Sequence, residues 1–481
     1  MKKRVKQGCR CGKGGKTSDH RKPSNPQVNG ETLRSAVTWV VNGQSFQNLN
    51  FHGNTKWLVC DLIILAVLWV WSDHTTLTGA FVEAHGWSMK MLGRAAVGTY
   101  QGLTGVLVSA TGTLLPLLWA RMHGLMKRHG GEYWRIGGWL SLAVDGSRVR
   151  TPRTAPNGQA FCAANYGRSA KQRAKKRRKN GVAQRKKKSQ PVKPQIWLTL
   201  VWHIGLRVLW CWRTGPSNSS ERAHFQDVLK TEKVPEKTLF CADAGFVGYD
   251  FWRSIVTGGH HLLMRVGSNV TLIRKLGYTR ESHGIVYCWP TKAARQEQPP
   301  LVLRLITMKF GRTPIYLVTS VLDPRELSHE TARQLYQLRW GIELQFRTIK
   351  QTFGRSKLRS KTPERALREL DWSLLGLWMI QLFTVKDQIA IGQPPIHSSA
   401  ALAIHVIRDV FHAWSEIPTK GTSLKSKLRH AVTDHYKRTK NSKQARYRPD
   451  NKDKPHAGQP RIITATRQHK LQLKQQLTLA M

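Results

Sequence analysis

The chain of 481 residues carries 78 Lys and Arg against 28 Asp and Glu, a formal net charge of +50 at pH 7. A globule with this excess repels itself strongly, so a polyanion is the expected partner, nucleic acid before an acidic membrane surface. With 40% hydrophobic residues and 18 Trp the chain is not a disordered basic tail, and its seven scattered Cys argue against a disulfide-stapled secreted domain.

The N-terminal third divides into a leader and a helical region. Residues 1–33 mix Lys, Gly, Ser and Pro without periodicity, which predicts a mobile basic leader. Residues 34–135 predict three to five helices, for which recognition of a DNA sequence and a purely structural role both stay open. The most apolar stretch, Trp57 to Trp71, is short for a bilayer and contains Asp61, so it predicts a buried helix and no membrane association.

Strand patterns begin after this helical region. An apolar run from Trp139 to Val144 predicts a strand that ends in a turn at Asp145-Gly146. Residues 168–193 hold thirteen Lys or Arg and no acid, and such a run predicts a solvated loop that can neutralise phosphates. The other elements predicted here are a hairpin over 196–214, a helix over 217–230, and a strand over 238–242 that runs into Asp243.

The next segment is rich in predicted strands and then changes to helices. Four strands are predicted, over 261–266, 284–289, 301–308 and 314–321. Ser328 can cap the helix that follows, in which the apolar residues recur at helical spacing. Two more helices are predicted, over 364–385 and 399–416.

The helix after Ser328 carries the most informative pattern in the chain. Tyr336, Arg339, Glu343 and Lys350 follow the spacing Y-x2-R-x3-E-x6-K. On a single helix at about 100° per residue, these four positions fall within roughly 60° around the axis. One carboxylate among three polar or cationic groups indicates a surface for phosphate and metal.

Three carboxylates are candidates for a metal site, and two of them, Asp145 and Glu343, stand alone in basic surroundings. Asp145 and Asp243 follow predicted strands, and Glu343 lies on the helix. Carboxylates are the ligands that Mg2+ requires, and converging ones can hold two ions for phosphodiester chemistry. Simpler interpretations stay open for each residue: a turn residue for Asp145, a turn or helix cap for Asp243, and for Glu343 an ion pair with neighbouring arginines worth about 0.3 to 0.5 kcal/mol.

Three motifs together resemble a known family. They are V-D-G at Val144 to Gly146, A-D-A-G-F at Ala242 to Phe246, and Y-Q-L-R-W-G-I-E-L-Q-F-R-T-I-K at Tyr336 to Lys350. The chain resembles, over about residues 135–395, the DDE-class bacterial insertion-sequence transposases with a Y-R-E-K motif, the group named after insertion sequence four. The resemblance implies an α/β fold: a ribonuclease-H-like catalytic core, a mixed sheet flanked by helices, with a β-rich insertion between the second Asp and the Glu and a helical N-terminal region before it.

The resemblance and the patterns divide the chain as follows. The expected parts are a leader over 1–33, a helical region over 34–135 with possible DNA-end binding, the first part of the core over 136–256 with the basic loop 168–193, the β-rich insertion over 257–312, the second part of the core over 313–395, and a C-terminal helix and basic tail over 396–481.

The resemblance also implies an activity. Carried over onto matching positions, the catalytic and metal-binding residues are Asp145, Asp243 and Glu343, and the DNA-binding residues are Tyr336, Arg339 and Lys350. The cofactor implied is a pair of Mg2+ ions, which Mn2+ can replace. The expected protein is a cut-and-paste transposase that cleaves and joins double-stranded DNA at transposon ends and target, acts as a homodimer on DNA, and works in the bacterial cytoplasm in association with the nucleoid.

Some choices stay open at this stage. A host nuclease or resolvase with the same fold, and a non-catalytic DNA-binding protein descended from a transposase, are the alternatives. Members of the group are thought to need an aromatic side chain on which a flipped base stacks. Trp289 in the expected insertion is a candidate, although a role in the core is the stronger expectation for it.

Overall fold

The computed structural model describes residues 30–41, 46, 49, 57–162, 193–281, 284–310, 313–412, 424–432 and 458–479. Most of the predicted leader, and the predicted basic loop up to residue 192, lie outside these ranges. The helices are α1 Gly30–Val40, α2 Val59–Trp71, α3 Leu77–Leu92, α4 Tyr100–His129, α5 Ala155–Phe161, α6 Glu221–Thr231, α7 Tyr249–Thr257, α8 Thr291–Arg295, α9 His329–Leu338, α10 Gly341–Arg347, α11 Pro363–Ile389, α12 Ala400–His412, α13 Leu424–Arg429 and α14 Arg467–Leu479. The strands are β1 Leu140–Arg150, β2 Gln195–His203, β3 Val208–Gly215, β4 Thr238–Ala242, β5 His261–Val266, β6 Thr271–Arg274, β7 Ile285–Cys288, β8 Leu301–Phe310, β9 Thr313–Thr319 and β10 Arg461–Thr464.

All ten strands form one mixed sheet with the order β10-β6-β7-β8-β9-β5-β4-β1-β2-β3. Five neighbouring strands, β3-β2-β1-β4-β5, make up the core. In it β1 pairs antiparallel with β2 and parallel with β4, β2 pairs antiparallel with β3, and β4 pairs parallel with β5. A meander of three antiparallel strands followed by two parallel ones is the ribonuclease-H-like arrangement, so the predicted fold class is confirmed.

The remaining strands extend this sheet beyond β5. Strand β9 pairs antiparallel with both β5 and β8, and β7 joins β8 to β6. By their pairing, β5 belongs with the core strands and β9 with the added strands. The expected insertion of 257–312 has these two the other way round, because it contains β5 and excludes β9. Strand β10, which the sequence analysis did not predict, pairs parallel with β6 and ends the sheet.

The N-terminal helices share a core with the long helix α11. Helix α2 is buried from Asp61 to Trp71, as predicted, and Asp61 is neutralised by Arg94 at 2.7 Å. The Trp71 indole donates to the Gly376 carbonyl at 3.0 Å. Trp372 of α11 donates to Thr111 of α4 at 2.9 Å. These buried contacts favour a structural role for the helical region, because they fasten it to the helix that covers the sheet.

Helix α4 is long and apolar enough to cross a membrane, which by itself is weak evidence. Its buried residues, such as Leu107, Leu114 and Leu118, belong to the same core as the sheet. The cysteines that lie within the described ranges form no disulfide bond there. Because its buried residues belong to the main core, α4 is a core helix of this fold.

Candidate active site

Asp145 lies in the interior of β1, so the predicted turn at Asp145-Gly146 is wrong. Strand β1 continues to Arg150 because β2 pairs with it over its whole outer half, with Asp145 opposite Leu200. The Oδ1 atom of Asp145 accepts a hydrogen bond from the Gly146 N–H at 2.8 Å. Burial is the main cause that raises the pKa of Asp145 to about 6; the Gly146 bond opposes it and Asp243 adds to it.

Asp243 comes directly after β4, the parallel neighbour of β1. The last pair in the register of these strands is Ala143 with Cys241. Asp145 and Asp243 each come two residues after this pair, so they lie side by side in the direction of the strands. The Oδ1 atom of Asp243 accepts from the Gly245 N–H at 2.8 Å, which closes the turn after the strand. Tertiary pairing thus brings together two carboxylates that are far apart in the chain.

The motif helix is interrupted, so the prediction of one continuous helix is wrong. Helix α9 ends at Leu338, α10 begins at Gly341, and residues 348–352 form a π-turn. The backbone tightens where the N–H groups of Ile342 and Glu343 donate to carbonyls three residues back, at 3.1 Å each. The roughly 60° stripe expected of a regular helix therefore does not hold over all four motif residues.

Gly341 explains why the interruption lies where it does. A Cβ built on Gly341 would lie 2.2 Å from the ring of Trp202, a fully buried residue of β2. Only glycine lets the backbone approach the sheet this closely. The predicted cap is confirmed at the other end of α9, where Ser328 Oγ accepts from the Thr331 N–H at 3.0 Å. The motif is thus pressed against the core sheet at Gly341.

Arg339 and Glu343 form a loose pair beside the two aspartates. The Arg339 side chain is 8% exposed, the Glu343 side chain is 39% exposed, and their nearest charged atoms are 4.0 Å apart. Within the described ranges the buried Nε of Arg339 has no hydrogen-bond partner. Desolvation raises the pKa of Glu343, and Arg339 opposes this shift while Asp243 adds to it. An ordinary exposed ion pair does not describe this arrangement, because the arginine is buried.

Tyr336 and Lys350 occupy opposite ends of the motif. The Tyr336 ring is 8% exposed and lies 5.4 Å below the Arg339 guanidinium, and burial raises the pKa of its hydroxyl. Lys350 reaches across to β1, where its Nζ donates to Ser147 Oγ at 2.5 Å. Desolvation lowers the pKa of Lys350, and Asp145 opposes that change. All four motif residues therefore face the region of Asp145 and Asp243.

Glu221 is a fourth carboxylate at this place, and sequence reasoning missed it. It is the first residue of α6 and is half-buried. Burial, followed by the charges of Asp243 and Asp145, raises the pKa of Glu221 to about 7. In the sequence Glu221 looks like the common acidic residue in the first turn of a helix. No local pattern distinguishes it, because its position depends on how α6 packs on the sheet.

Trp289 lies in the core, which was the stronger expectation for it, and a different tryptophan is exposed beside the motif. Trp289 is 4% exposed and its indole donates to the Gln298 carbonyl at 2.8 Å, so it is a core residue and not a stacking platform. Trp340, at the interruption of the motif, is 59% exposed. Within the described part of the chain it is the exposed tryptophan.

The donor chemistry of the site suits a hard divalent cation. The oxygen donors gathered here are carboxylates, which Mg2+ prefers. Burial is the main cause that raises the pKa values of Asp145 and Glu221, and the charge of Asp243 adds to both shifts. With the side chains in their present orientations, no three of these carboxylates in the described ranges are placed to hold a metal ion together. Asp145 and Asp243 accept backbone N–H groups and Glu343 faces Arg339. Cation binding therefore requires rotation of these side chains, for which the partly exposed Glu343 has room.

Comparison with known proteins places the chain among transposases. Residues 140–379 match the family described as "Transposase DDE domain". The transposase InsG for insertion sequence element IS4, from Escherichia coli (strain K12), is 28% identical over 259 residues, which are 52% of this chain and 53% of that protein. The chain thus spans about half the length of the curated relative it matches.

A solved structure adds little to this result. The cryo-EM structure of the piggyBac transposase synaptic complex with hairpin DNA is similar at a TM-score of 0.37 and 11% identity, covering 86% of this chain and 85% of that one. At this score the similarity carries no argument about the fold. The family is shown by the domain match over residues 140–379 together with the IS4-type relative. This chain belongs to the DDE transposase family.

Proposed function

We propose that this protein is the transposase of an insertion sequence, which cleaves double-stranded DNA at the ends of its own element and joins the freed ends to a target. The observation that carries the proposal is the position of Asp145 and Asp243, level with each other on adjacent parallel strands, with Glu343 presented by the motif beside them. This arrangement supports an assignment of Asp145, Asp243 and Glu343 as the three acidic residues of the DDE chemistry. The match to the DDE domain supports the same conclusion.

A DDE domain implies dependence on a divalent cation. In our proposal Asp145, Asp243 and Glu343 hold two Mg2+ ions, with Mn2+ as a substitute. When bound, such ions activate water, or a 3′-hydroxyl, and stabilise the leaving oxygen of the phosphodiester. The contribution of the chain is position and charge: the strands β1 and β4 fix two carboxylates, and the motif brings the third.

The cationic groups of the motif are suited to the DNA strand being cut. Arg339 has a buried guanidinium whose Nε is without a partner within the described ranges, so it can donate to a phosphate oxygen that reaches the site. Lys350 supplies a second charge beside Asp145. Tyr336 supports Arg339 from below. We therefore assign these three residues to the phosphates next to the scissile bond, with Tyr336 acting through Arg339.

The surroundings of the site fit a long polyanion. The net charge of +50 exceeds what a small substrate needs, whereas a DNA duplex carries one charge about every 1.7 Å of its length. We further propose that the protein acts as a homodimer that brings two element ends together, in the cytoplasm and at the nucleoid. For the stacked base we assign Trp340, because it is exposed and lies between Arg339 and Glu343 in the chain.

The substitution Asp145→Asn tests the function. It removes one carboxylate from the sheet and leaves the basic surface intact, so we expect unchanged binding to element ends and loss of divalent-cation-dependent cleavage. Asp250→Asn, at an exposed position at the start of α7, is the matched control and should cleave normally. If the Asp145→Asn variant nicked DNA as fast as the wild type, the assignment of the metal site would be wrong.

A second observation separates a transposase from a host nuclease with the same fold. The gene of a transposase lies between short inverted repeats, and duplexes that carry those repeats should be cut at their ends in preference to unrelated duplexes. Equal cutting of both kinds of duplex would favour a general nuclease.

A further inference from the structure

Glu221 lies deeper in the site than a first-turn helix residue usually does. Helix α6 follows β3 in the chain, and its first residue, Glu221, lies beside Gly146 and Gly245. The Glu221 Oε2 atom is 2.5 Å from the point that a Cβ would take on Gly146, and its Oε1 atom is 3.0 Å from the corresponding point on Gly245. The carboxylate thus fits between the two backbone segments that carry the aspartates.

The two glycines keep this space open. Gly146 follows Asp145 directly, and Gly245 is two residues after Asp243. The Oδ1 atom of Asp243 lies 2.9 Å from the same point on Gly245 that Glu221 approaches. A Cβ at position 146 would be closer to the Glu221 carboxylate than real contacts are, so a side chain there would displace that carboxylate. At position 245 a Cβ would be tight against both Asp243 and Glu221. The absence of side chains at both positions therefore leaves room for the Glu221 carboxylate.

Ordinary roles for an acidic residue at the start of a helix do not account for this position. A first-turn acid stabilises the helix by facing its free N–H groups, typically at the surface. Glu221 is half-buried instead, and within the described ranges the positive charge that acts on it is that of Arg222. The neighbouring Arg222 donates to the Val247 carbonyl at 2.7 Å. Burying a carboxylate beside two others destabilises the protein unless a cation binds there.

We propose that Glu221 is a fourth carboxylate ligand of the divalent-cation site, shared with Asp145 and Asp243. This inference rests on the proposed function, since the DDE domain match provides the expectation of a cation independently of the acidic cluster. A ligand from α6 couples that helix to the middle of β1 and to the residue after β4. The site then takes ligands from the sheet, from the motif and from α6.

The test is cation affinity, measured on the full chain without DNA. Glu221→Gln keeps the shape of the side chain and removes the charge. We expect its affinity for Mn2+, followed by electron paramagnetic resonance of the free ion, to fall at least about tenfold, the scale on which residues around a metal affect its binding. Glu236→Gln, an exposed acid before β4, is the matched control and should bind Mn2+ like the wild type.

Thermal unfolding separates a ligand role from a structural one. In EDTA the Glu221→Gln variant should unfold at the same temperature as the wild type or above it, because repulsion among the carboxylates is relieved, and its gain on adding Mn2+ should be smaller. A lower unfolding temperature in EDTA would mean that Glu221 supports the fold, which overturns the proposal. Glu221→Asp retains the charge with a shorter reach, and reduced affinity in this variant with normal unfolding supports the same role.

Asp145→Asn distinguishes failure of this inference from failure of the proposed function. If Asp145→Asn loses Mn2+ affinity while both Glu221 variants bind like the wild type, Glu221 is not a ligand and the metal site stands. If Asp145→Asn also binds Mn2+ like the wild type, the cation lies elsewhere and both proposals are overturned.

Discussion

Lys350 is fastened to Ser147: its Nζ donates a hydrogen bond of 2.5 Å to the Ser147 Oγ. Because side chains alternate along a strand, Ser147 lies on the same face of β1 as Asp145. The contact joins the last residue of the motif to the strand that carries the first carboxylate. It also holds the ammonium group within electrostatic reach of Asp145.

If Lys350 contacts a phosphate, removing its charge should weaken DNA binding in a salt-dependent way. We expect Lys350→Gln to reduce the slope of log affinity against log salt by about 0.9, the value for one phosphate contact. Ser147→Ala keeps the charge and should keep the slope. Fluorescence anisotropy with an element-end duplex over a range of KCl concentrations measures both. An unchanged slope in Lys350→Gln would reduce the role of Lys350 to its contact with β1.

Gly341→Ala should displace the motif from the sheet. Its Cβ would lie 2.2 Å from the buried ring of Trp202, so either the ring or the helix must move. We expect a loss of about 1 to 3 kcal/mol in the free energy of unfolding, typical of overpacking, together with slower cleavage.

A glycine without close neighbours provides the control for this substitution. Gly86 lies on an exposed position of α3, and a Cβ there would meet nothing within 4 Å. Gly86→Ala should therefore stabilise the protein by up to about 1 kcal/mol, as alanine does in a helix. Urea unfolding of both variants measures the difference. Equal stability of the two variants would show that the approach of Gly341 to Trp202 is unimportant.

Trp340→Ala tests the exposed indole for base stacking. Stacking of a base on an aromatic side chain contributes about 1 to 3 kcal/mol, so the variant should lose affinity for end duplexes that have an unpaired terminal base. Fully paired duplexes should bind as before. Leu402→Ala, at a comparably exposed apolar position on α12, is the control for loss of exposed apolar surface. An equal loss for both kinds of duplex would argue against stacking.

The acidic cluster should make cation-free stability depend on pH. The pKa of Asp145 is about 6 and that of Glu221 about 7 in the folded chain, both above their unfolded values near 4. The unfolded chain therefore releases these protons first, and stability is lost as the pH rises from about 4 through 7. Asp145→Asn should match the wild type near pH 4 and exceed its stability at pH 8.

Chemical unfolding in EDTA at several pH values measures this difference between the wild type and the variant. Comparison of the two proteins cancels the contribution of the histidines, which titrate over the same range. A difference that stays constant from pH 4 to 8 would contradict the raised pKa of Asp145. Saturating Mg2+ should remove the gain of the variant, because the cation offsets the repulsion in the wild type.

Much of the fold could be predicted because local sequence patterns determine many of its helices and strands. The hairpin of β2 and β3, the strand β4 and the helices α2, α9 and α11 all appear as apolar periods bounded by turn or cap residues, and Ser328 caps α9 as expected. These signals depend on residues within a few positions of one another. Strand β10 was missed because β6, with which it pairs, lies far away in the chain.

The candidate site also has some properties that the sequence determines and others that depend on tertiary contacts. The sequence by itself determined that the chain is strongly basic and that Tyr336, Arg339, Glu343 and Lys350 keep a family spacing. It also determined that Asp145 and Glu343 stand alone in basic surroundings and that Asp243 follows a predicted strand. These properties are composition and spacing, which need no contacts between distant residues.

Only the tertiary structure decided how these residues meet. Pairing with β2 carries Asp145 into the middle of a strand, and the approach of Gly341 to Trp202 interrupts the motif helix. Packing buries Trp289 and leaves Trp340 exposed, and it places Glu221 beside the aspartates. The physical reason is that strand register, burial and the separation of charges arise from contacts between segments far apart in the chain, which no local period records.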